Sequence, residues 1–184
     1  AFGILALVGV GRGHRNAGQL LDIAAQRAPR NIDVRTQAMI AALTDKAMPE
    51  AVDELDAILR LSPRRGAILY PAMAQQTLDP AFNDALVGKL VESPRWAPAF
   101  LAYVSTKATP EAVNRIYGGL QKQGALSEQD IRLWLDRQMR EGQWAAAYDQ
   151  WLATLETPPA EDALVYNGGF EQDSADLGFD WRRI

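Results

Sequence analysis

The chain has 184 residues, of which 48% are hydrophobic and 23% charged, a globular composition that excludes a disordered or collagen-like chain. The absence of Cys excludes disulfides, thiolate-bound zinc and a thiol nucleophile, and the single His would have to serve any His-based triad or metal site alone. The formal net charge of −4 argues against a general nucleic-acid binder, which normally carries a surplus of Lys and Arg. We therefore expect no nucleic-acid partner.

The first ten residues form an apolar run that begins with Ala rather than Met. A helix that spans a bilayer needs about 20 such residues, and neither the basic segment nor the cleavage site of a signal peptide flanks this run. We expect a buried helix here and no membrane span, with a truncated membrane anchor as the alternative. We also expect the sequence to be a piece of a longer protein.

A repeated pattern follows in three places. Residues 19–30 align with residues 53–64 at an offset of 34 positions, the period of tetratricopeptide repeats, and residues 141–152 give a third match. In each unit a small residue precedes a large apolar residue by one turn and a proline by 12 positions: Ala17, Leu21 and Pro29, then Ala51, Leu55 and Pro63, then Ala147, Trp151 and Pro159. This pattern is typical of closely packed antiparallel helices that end at the proline.

These stretches resemble tetratricopeptide repeats, although the family's Trp-Leu-Gly-Tyr pattern is absent from the first helices of the two early units. A related helical-repeat family is the alternative. The resemblance implies an all-α fold, a tetratricopeptide-like α-solenoid of antiparallel helix pairs over residues 1–160. Each pair would bury its apolar faces by stacking on its neighbours.

Capping and stop signals predict three further helices between and beside the repeat matches. They begin at Asp79-Pro80, at Thr109-Pro110 and at Ser127, and the second stops at Gly124. Their predicted inward residues are Phe82, Leu86, Leu90 and Val91, then Val113, Ile116, Tyr117 and Leu120, then Ile131, Trp134, Leu135 and Met139. We expect eight or nine helices in all and no strand before Ala163.

The composition changes near the C-terminus. Residues 158–162 are typical of a linker, and residues 163–171 combine a short β-prone run with a turn. The segment Asn-Gly-Gly-Phe-Glu at 167–171, with Phe-Asp-Trp at 179–181, resembles the first strand of carbohydrate-binding modules with a galactose-binding-like fold. The resemblance implies that residues 161–184 are a linker and the start of a truncated β-sandwich. The alternative is a tail that packs Phe170 and Trp181 onto the last helices.

Arginines recur at the predicted helix ends and form the candidate site of the sequence. They are Arg27 and Arg30 in the first unit, and Arg60, Arg64 and Arg65 in the second. Arg beside the last carbonyls of a helix offsets the negative end of the helix dipole, which is a sufficient structural role. The functional alternative is a patch for an anionic partner along one edge of the array.

The remaining polar groups predict neither catalysis nor cofactor binding. Residues 9–14, which include His14, lack the Lys and the βαβ setting of a phosphate loop and are typical of a glycine turn. Glu50, Asp53 and Glu54 follow helical spacing and indicate a solvated helix face rather than a catalytic pair of acids. We therefore expect no catalytic residue, no cofactor and no metal.

Two aromatic triplets also follow helical spacing, namely Trp96, Phe100 and Tyr103, and then Trp144, Tyr148 and Trp151. Each triplet lies on one helix face, which favours packing in a core. Exposed rings would instead be able to stack on sugar rings or to anchor a bound peptide.

Together these patterns predict a non-catalytic scaffold that binds a protein or peptide in a helical-repeat groove. If the tail begins a sugar-binding module, the parent chain would resemble a bacterial envelope or exopolysaccharide-assembly protein. Carbohydrate would then be a further partner, and the cell envelope or periplasm is favoured over the cytoplasm. The alternative is an enzyme, or a subunit of one, that acts on polysaccharide with Asp or Glu as the acid.

Overall fold

The computed structural model describes residues 30–155, 166 and 177–180. Within these ranges the chain is all-α, as predicted, with eight α-helices and no strand. The helices are α1 (Ile32–Thr44), α2 (Met48–Leu61), α3 (Gly66–Gln76), α4 (Pro80–Val91), α5 (Ala97–Lys107), α6 (Pro110–Lys122), α7 (Glu128–Arg140) and α8 (Trp144–Leu152). A 3-10 helix, Pro63–Arg65, joins α2 to α3. The apolar run and glycine turn predicted before residue 30 lie outside the described residues.

The chain divides into two compact units, Ala1–Ala125 and Leu126–Ile184. Of the described helices, α1 to α6 belong to the first unit, and α7 and α8 belong to the second. The domain boundary predicted near residue 160 lies outside the described residues and stays a prediction.

In the first unit, helices that are separated by one helix in the chain pack against each other and form rows. Helix α2 packs on α4 and α4 on α6, while α3 packs on α5, and α1 lies along α2. All six helices contribute to the core, through the nearly inaccessible side chains of Val34, Leu59, Met73, Phe82, Phe100 and Tyr117. The arrangement leaves the surface between α4 and α6 as a shared face of two neighbouring helices.

Local capping interactions explain where the predicted helices begin. The side chains of Asp79 and Thr109 accept hydrogen bonds from backbone N–H groups in the first turns of α4 and α6. Ser127 and Asp130 form a capping box at the start of α7. After α6, Gly124 has a φ of +63°, a left-handed conformation that suits glycine, so the predicted stop is confirmed as well.

The predicted inward faces are confirmed with one correction. All four inward residues of α6 and three of α4 are buried, and those of α7 are buried or half-buried. Val91 is 41% exposed, so its predicted inward position is wrong. It follows the buried Leu90 directly in the last turn of α4, and a step of one residue rotates a side chain about 100° away from its neighbour.

The second unit is built around Trp151 of α8. Its buried core consists of Leu135, Ala147, Trp151 and Leu177. The ring of Tyr166 lies 4.8 Å from that of Trp151, and the ring of Phe179 lies 5.6 Å from it. The described part of the tail therefore packs on α8. Phe170, Trp181 and the segment that resembles a carbohydrate-binding strand lie outside the described residues.

The repeat positions that fall within the described residues have the burial expected of them. Ala51 and Leu55 are buried in α2, Ala147 and Trp151 are buried in α8, and Pro63 follows the end of α2. The equivalent residues of the first repeat match, Ala17, Leu21 and Pro29, lie outside the described residues, as does Pro159. Among the described helices, none combines the length and the apolar character needed to cross a bilayer.

Candidate functional site

The predicted arginine patch is exposed wherever the structure describes it. Arg30 precedes α1, Arg60 lies in the last turn of α2, and Arg64 and Arg65 lie in the 3-10 helix that follows. Arg27 lies outside the described residues. The structure thus brings Arg60, Arg64 and Arg65 to one end of α2, where their charges are favourable beside the last carbonyls of the helix.

Arg60 differs from the other arginines because it pairs with a buried acid. Its guanidinium forms an ion pair with Asp56, one turn earlier on α2, and the indole Nε1–H of Trp96 donates a hydrogen bond to the same carboxylate at 2.9 Å. Asp56 and Trp96 are each 4% exposed. Arg60 therefore balances the negative charge of the buried Asp56 carboxylate. The same carboxylate holds the indole of Trp96, the residue that precedes α5, in place.

The two hydrogen bonds determine the charge state of Asp56. Burial acts to raise the pKa of its carboxyl, but the hydrogen bonds from Arg60 and Trp96 and the charges of Arg60 and Lys89 outweigh burial and hold that pKa below its usual value. The hydrogen bond with Asp56 likewise raises the pKa of Arg60. Asp56 is consequently ionised at neutral pH and serves as a structural anion.

A depression of about 740 Å³ lies beside this network. Arg60 and Arg95 contribute positive charge to its wall, Glu92 contributes negative charge, and Tyr70 and Trp96 contribute aromatic surface. Because Arg60 is already engaged by Asp56, the depression offers less free positive charge than its arginines suggest. Arg64 and Arg65 are not among the residues that line it.

A second depression, the glycine groove, lies between α4 and α6 and has a volume of about 490 Å³. Its lining residues follow a spacing of four on each helix, so the groove runs along about two helical turns. They are Asn83, Asp84, Val87 and Gly88 of α4, Asn114, Arg115, Gly118, Gly119 and Lys122 of α6, and Gln123.

The glycines of this groove have two different roles. A Cβ atom on Gly119 would lie 2.7 Å from Cγ2 of Val87, so Gly119 allows α6 to approach α4 closely. A Cβ atom on Gly88 or Gly118 would meet no atom of the described residues within 4 Å. A glycine inside a helix costs about 0.5–1 kcal/mol relative to alanine. Gly88 and Gly118 therefore weaken their helices without a packing gain, and they leave bare backbone along the groove.

The polar groups of the groove include an unsatisfied buried atom and two unpaired cations. Asn83 is 9% exposed, and its Oδ1 has no hydrogen-bond partner among the described residues. Arg115 and Lys122 are exposed and lie about two turns apart on α6, and neither forms an ion pair within the described part of the chain. A buried carbonyl oxygen without a donor costs about 1–3 kcal/mol. A ligand that supplies a donor and negative charge would satisfy both features.

Neighbouring glycines of α6 are expected to respond oppositely to alanine. Gly118→Ala should stabilise the first unit by about 1 kcal/mol, because alanine is the better helix former and its Cβ meets open space. Gly119→Ala should destabilise it by about 1 kcal/mol, since the clash with Val87 exceeds the same gain. Urea unfolding followed by far-ultraviolet circular dichroism measures both. Equal stabilities would contradict the close approach of α4 and α6.

The two aromatic triplets differ in how far their side chains are buried, a difference that the helical spacing does not predict. Trp96 and Phe100 are buried, as expected of core residues. On α8, however, Trp144 is 55% exposed and Tyr148 39% exposed, so the prediction of core packing is wrong for Trp144 and holds only in part for Tyr148. Helix α8 packs on α7 through the side that carries Ala147 and Trp151, and this leaves Trp144 in the first turn uncovered.

The acidic face predicted on α2 is only partly solvated. Glu50 and Asp53 are exposed, whereas Glu54 is half-buried and forms an ion pair of 2.7 Å with Arg35 of α1. The prediction is therefore wrong at Glu54, because the packing of α1 along α2 brings a cation to it. In the described ranges, no three His, Asp or Glu side chains are grouped in a way that could hold a metal ion.

Sequence reasoning did not find the glycine groove, although one signal for it was present. Gly88, Gly118 and Gly119 lie inside helices whose starts are predicted from the capping residues Asp79 and Thr109. Glycine in a helix interior needs a packing or functional reason. Comparison of the chain with protein-family models, with curated proteins and with solved structures gives no match. The groove and the Asp56 network are therefore interpreted from their own chemistry.

Proposed function

We propose that the chain is a non-catalytic helical scaffold and that the glycine groove binds a segment of a protein or peptide partner. The observation that carries this proposal is that one open groove combines bare backbone with a buried amide oxygen and two cations that have no partner among the described residues. The glycine backbone and the unsatisfied amide are unfavourable in the isolated chain, and a polar chain in the groove would contact both of them as well as the two cations.

The packing of the first unit supports a repeat scaffold as the frame for this groove. Helices α2, α4 and α6 lie in one row, and α3 and α5 lie beside each other in a second. Alternation of this kind is what stacked helix pairs produce in an α-solenoid, where the surface of a row is a common binding face. A tetratricopeptide-like solenoid therefore remains our proposal for the architecture.

The chemistry of the groove favours binding over hydrolysis. Glycoside hydrolysis by paired acids needs two carboxyl groups about 5–10 Å apart. Of the described residues that line the groove, Asp84 is the one carboxylate. By contrast, the amides of Asn83, Asn114 and Gln123 are the groups that hydrogen-bond to a polypeptide backbone.

The experiment is a selection from a random-sequence peptide library on the full chain, followed by affinity measurements with variants. Gly118→Leu should weaken the selected peptides at least tenfold, about 1.4 kcal/mol, because its side chain enters the groove from a position where a Cβ meets nothing. Its matched control is Ala102→Leu, which adds the same side chain at an exposed position of α5 outside the groove.

Two results would overturn the proposal. One is the absence of any peptide that binds above the level seen with an unrelated helical protein. The other is an equal effect of Gly118→Leu and Ala102→Leu on affinity, which would place the peptide elsewhere. The double variant Arg64→Ala/Arg65→Ala tests the arginine patch in the same assay, since both side chains are exposed and neither lines the groove.

A further inference from the structure

We infer that the segment bound in the glycine groove is extended and acidic, with a backbone N–H donated to Asn83 and carboxylates placed against Arg115 and Lys122. This inference rests on the proposed function, because it names the chemistry of the partner at the same groove. It follows from the charges of the two walls, the unsatisfied amide and the dimensions of the groove.

The wall formed by α6 is positively charged. Arg115 and Lys122 both line the groove, both are exposed, and neither has an anionic partner within the described residues. The opposite wall contributes Asp84, so the groove keeps an excess of one positive charge. A carboxylate near α6 would gain charge-assisted hydrogen bonds, which are stronger than those between neutral groups.

Asn83 identifies the kind of donor that the groove accepts. Its side chain is 9% exposed and lines the groove, and its Oδ1 has no donor among the described residues. The terminal torsion of Asn is soft, so a small rotation turns this oxygen toward a donor in the groove. A polypeptide carries a backbone N–H at every residue other than proline, so an extended segment in the groove can present a donor to this oxygen.

The dimensions favour an extended segment over a helix. Bare backbone at Gly88 and Gly118 admits close approach on both walls, and an extended chain is much narrower than a helix of about 10 Å diameter. Arg115 and Lys122 are seven positions apart, or about 10 Å along α6. An extended chain covers that distance in about three residues. Alternate side chains of an extended chain point to the same side, so the segment should carry two acidic residues two or four positions apart.

The test compares each peptide selected on the full chain with a counterpart in which Asp and Glu are replaced by Asn and Gln. Affinities are measured by fluorescence polarisation. We expect the acidic peptide to bind at least tenfold more tightly than its amide counterpart, and Arg115→Ala/Lys122→Ala to abolish that preference. Arg64→Ala/Arg65→Ala removes the same charge from exposed positions outside the groove and should leave the preference intact.

Asn83→Ala tests the backbone contact separately. The variant removes an unsatisfied buried oxygen, so folding should be preserved, while acidic and amide peptides should both lose affinity by a similar factor. The backbone nitrogens of the acidic peptide are then methylated one at a time. At one position methylation should weaken binding to the native chain but leave the affinity for Asn83→Ala unchanged.

The outcomes separate this inference from the proposed function. Peptides that bind in the groove with equal affinity for their acidic and amide forms would overturn the acidic segment and leave the scaffold proposal standing. Displacement of the peptide by inorganic phosphate at a similar affinity would mean that the groove binds a simple anion, and it would overturn the inference of an acidic segment. Failure to select any peptide would overturn the proposed function itself.

Discussion

Gly178→Ala is expected to lower the free energy of unfolding of the second unit by about 3 kcal/mol. Gly178 has a φ of +60°, and a Cβ atom placed on it would lie 2.8 Å from Cγ of Trp151. Alanine would therefore be strained in its backbone and would also press on an indole that is 1% exposed. Hydrogen exchange of the full chain measures this effect, because protection of the α8 amides reports on the second unit alone.

Gly142→Ala is the matched control for the backbone contribution. Gly142 belongs to the same unit and has a φ of +75°, but within the described part of the chain a Cβ atom there would meet nothing closer than 4 Å. Its alanine variant should cost about 1 kcal/mol, the cost of the left-handed conformation without a clash. Equal effects of the two substitutions would mean that Gly178 does not lie against Trp151.

A double-mutant comparison isolates the contact further. Trp151→Ala alone should cost about 4 kcal/mol, since it empties the centre of the aromatic cluster with Tyr148, Tyr166 and Phe179. In that background Gly178→Ala should cost only about 1 kcal/mol, because the indole is gone and the backbone strain remains. An undiminished cost would contradict the packing of the tail on α8.

The helix boundaries were predictable because their causes are local. Asp79, Thr109 and Ser127 cap helices through hydrogen bonds to backbone groups no more than three residues away, so a short stretch of sequence contains the whole interaction. The inward face of α6 was predictable for a related reason, since one strong apolar stripe at helical spacing can be buried in only one way. Helix α3 carries no such signal, and Pro71 in its interior normally marks a helix end.

The candidate binding surfaces were harder to predict from the sequence, because they depend on which helices pack together. The exposure of Trp144 depends on where α7 covers α8, and the glycine groove joins Asn83 to residues of α6 more than 30 positions later. Asp56 left one trace in the sequence, since it recurs at the position of Asp22 in the repeat alignment. Its partner Trp96 lies 40 positions away and has no counterpart in that alignment, so the hydrogen bond between Trp96 and Asp56 could not be predicted from the sequence.

Asp56→Ala is expected to destabilise the first unit by about 3 kcal/mol. The substitution leaves the buried indole N–H of Trp96 without its acceptor and removes the partner of Arg60. Asp56→Asn keeps an oxygen for Trp96 and should cost about half as much. Asp53→Asn, on the same helix, is the control: the side chain of Asp53 is 65% exposed in its ion pair with Lys89, and its loss should cost less than about 1 kcal/mol.

The pH dependence of stability distinguishes the charge of Asp56 from its packing. Because its pKa is lower in the folded chain than in the unfolded chain, its stabilising contribution is fully present above the unfolded value of about 3.9 and is lost as the pH falls through the folded value. Asp56→Asn has no carboxyl at this position, so the difference in stability between the native chain and this variant should shrink below about pH 4. Urea unfolding from pH 7 to pH 3 measures that difference. A difference that stays constant over this range would mean that Asp56 is held by hydrogen bonds alone, without a contribution from its charge.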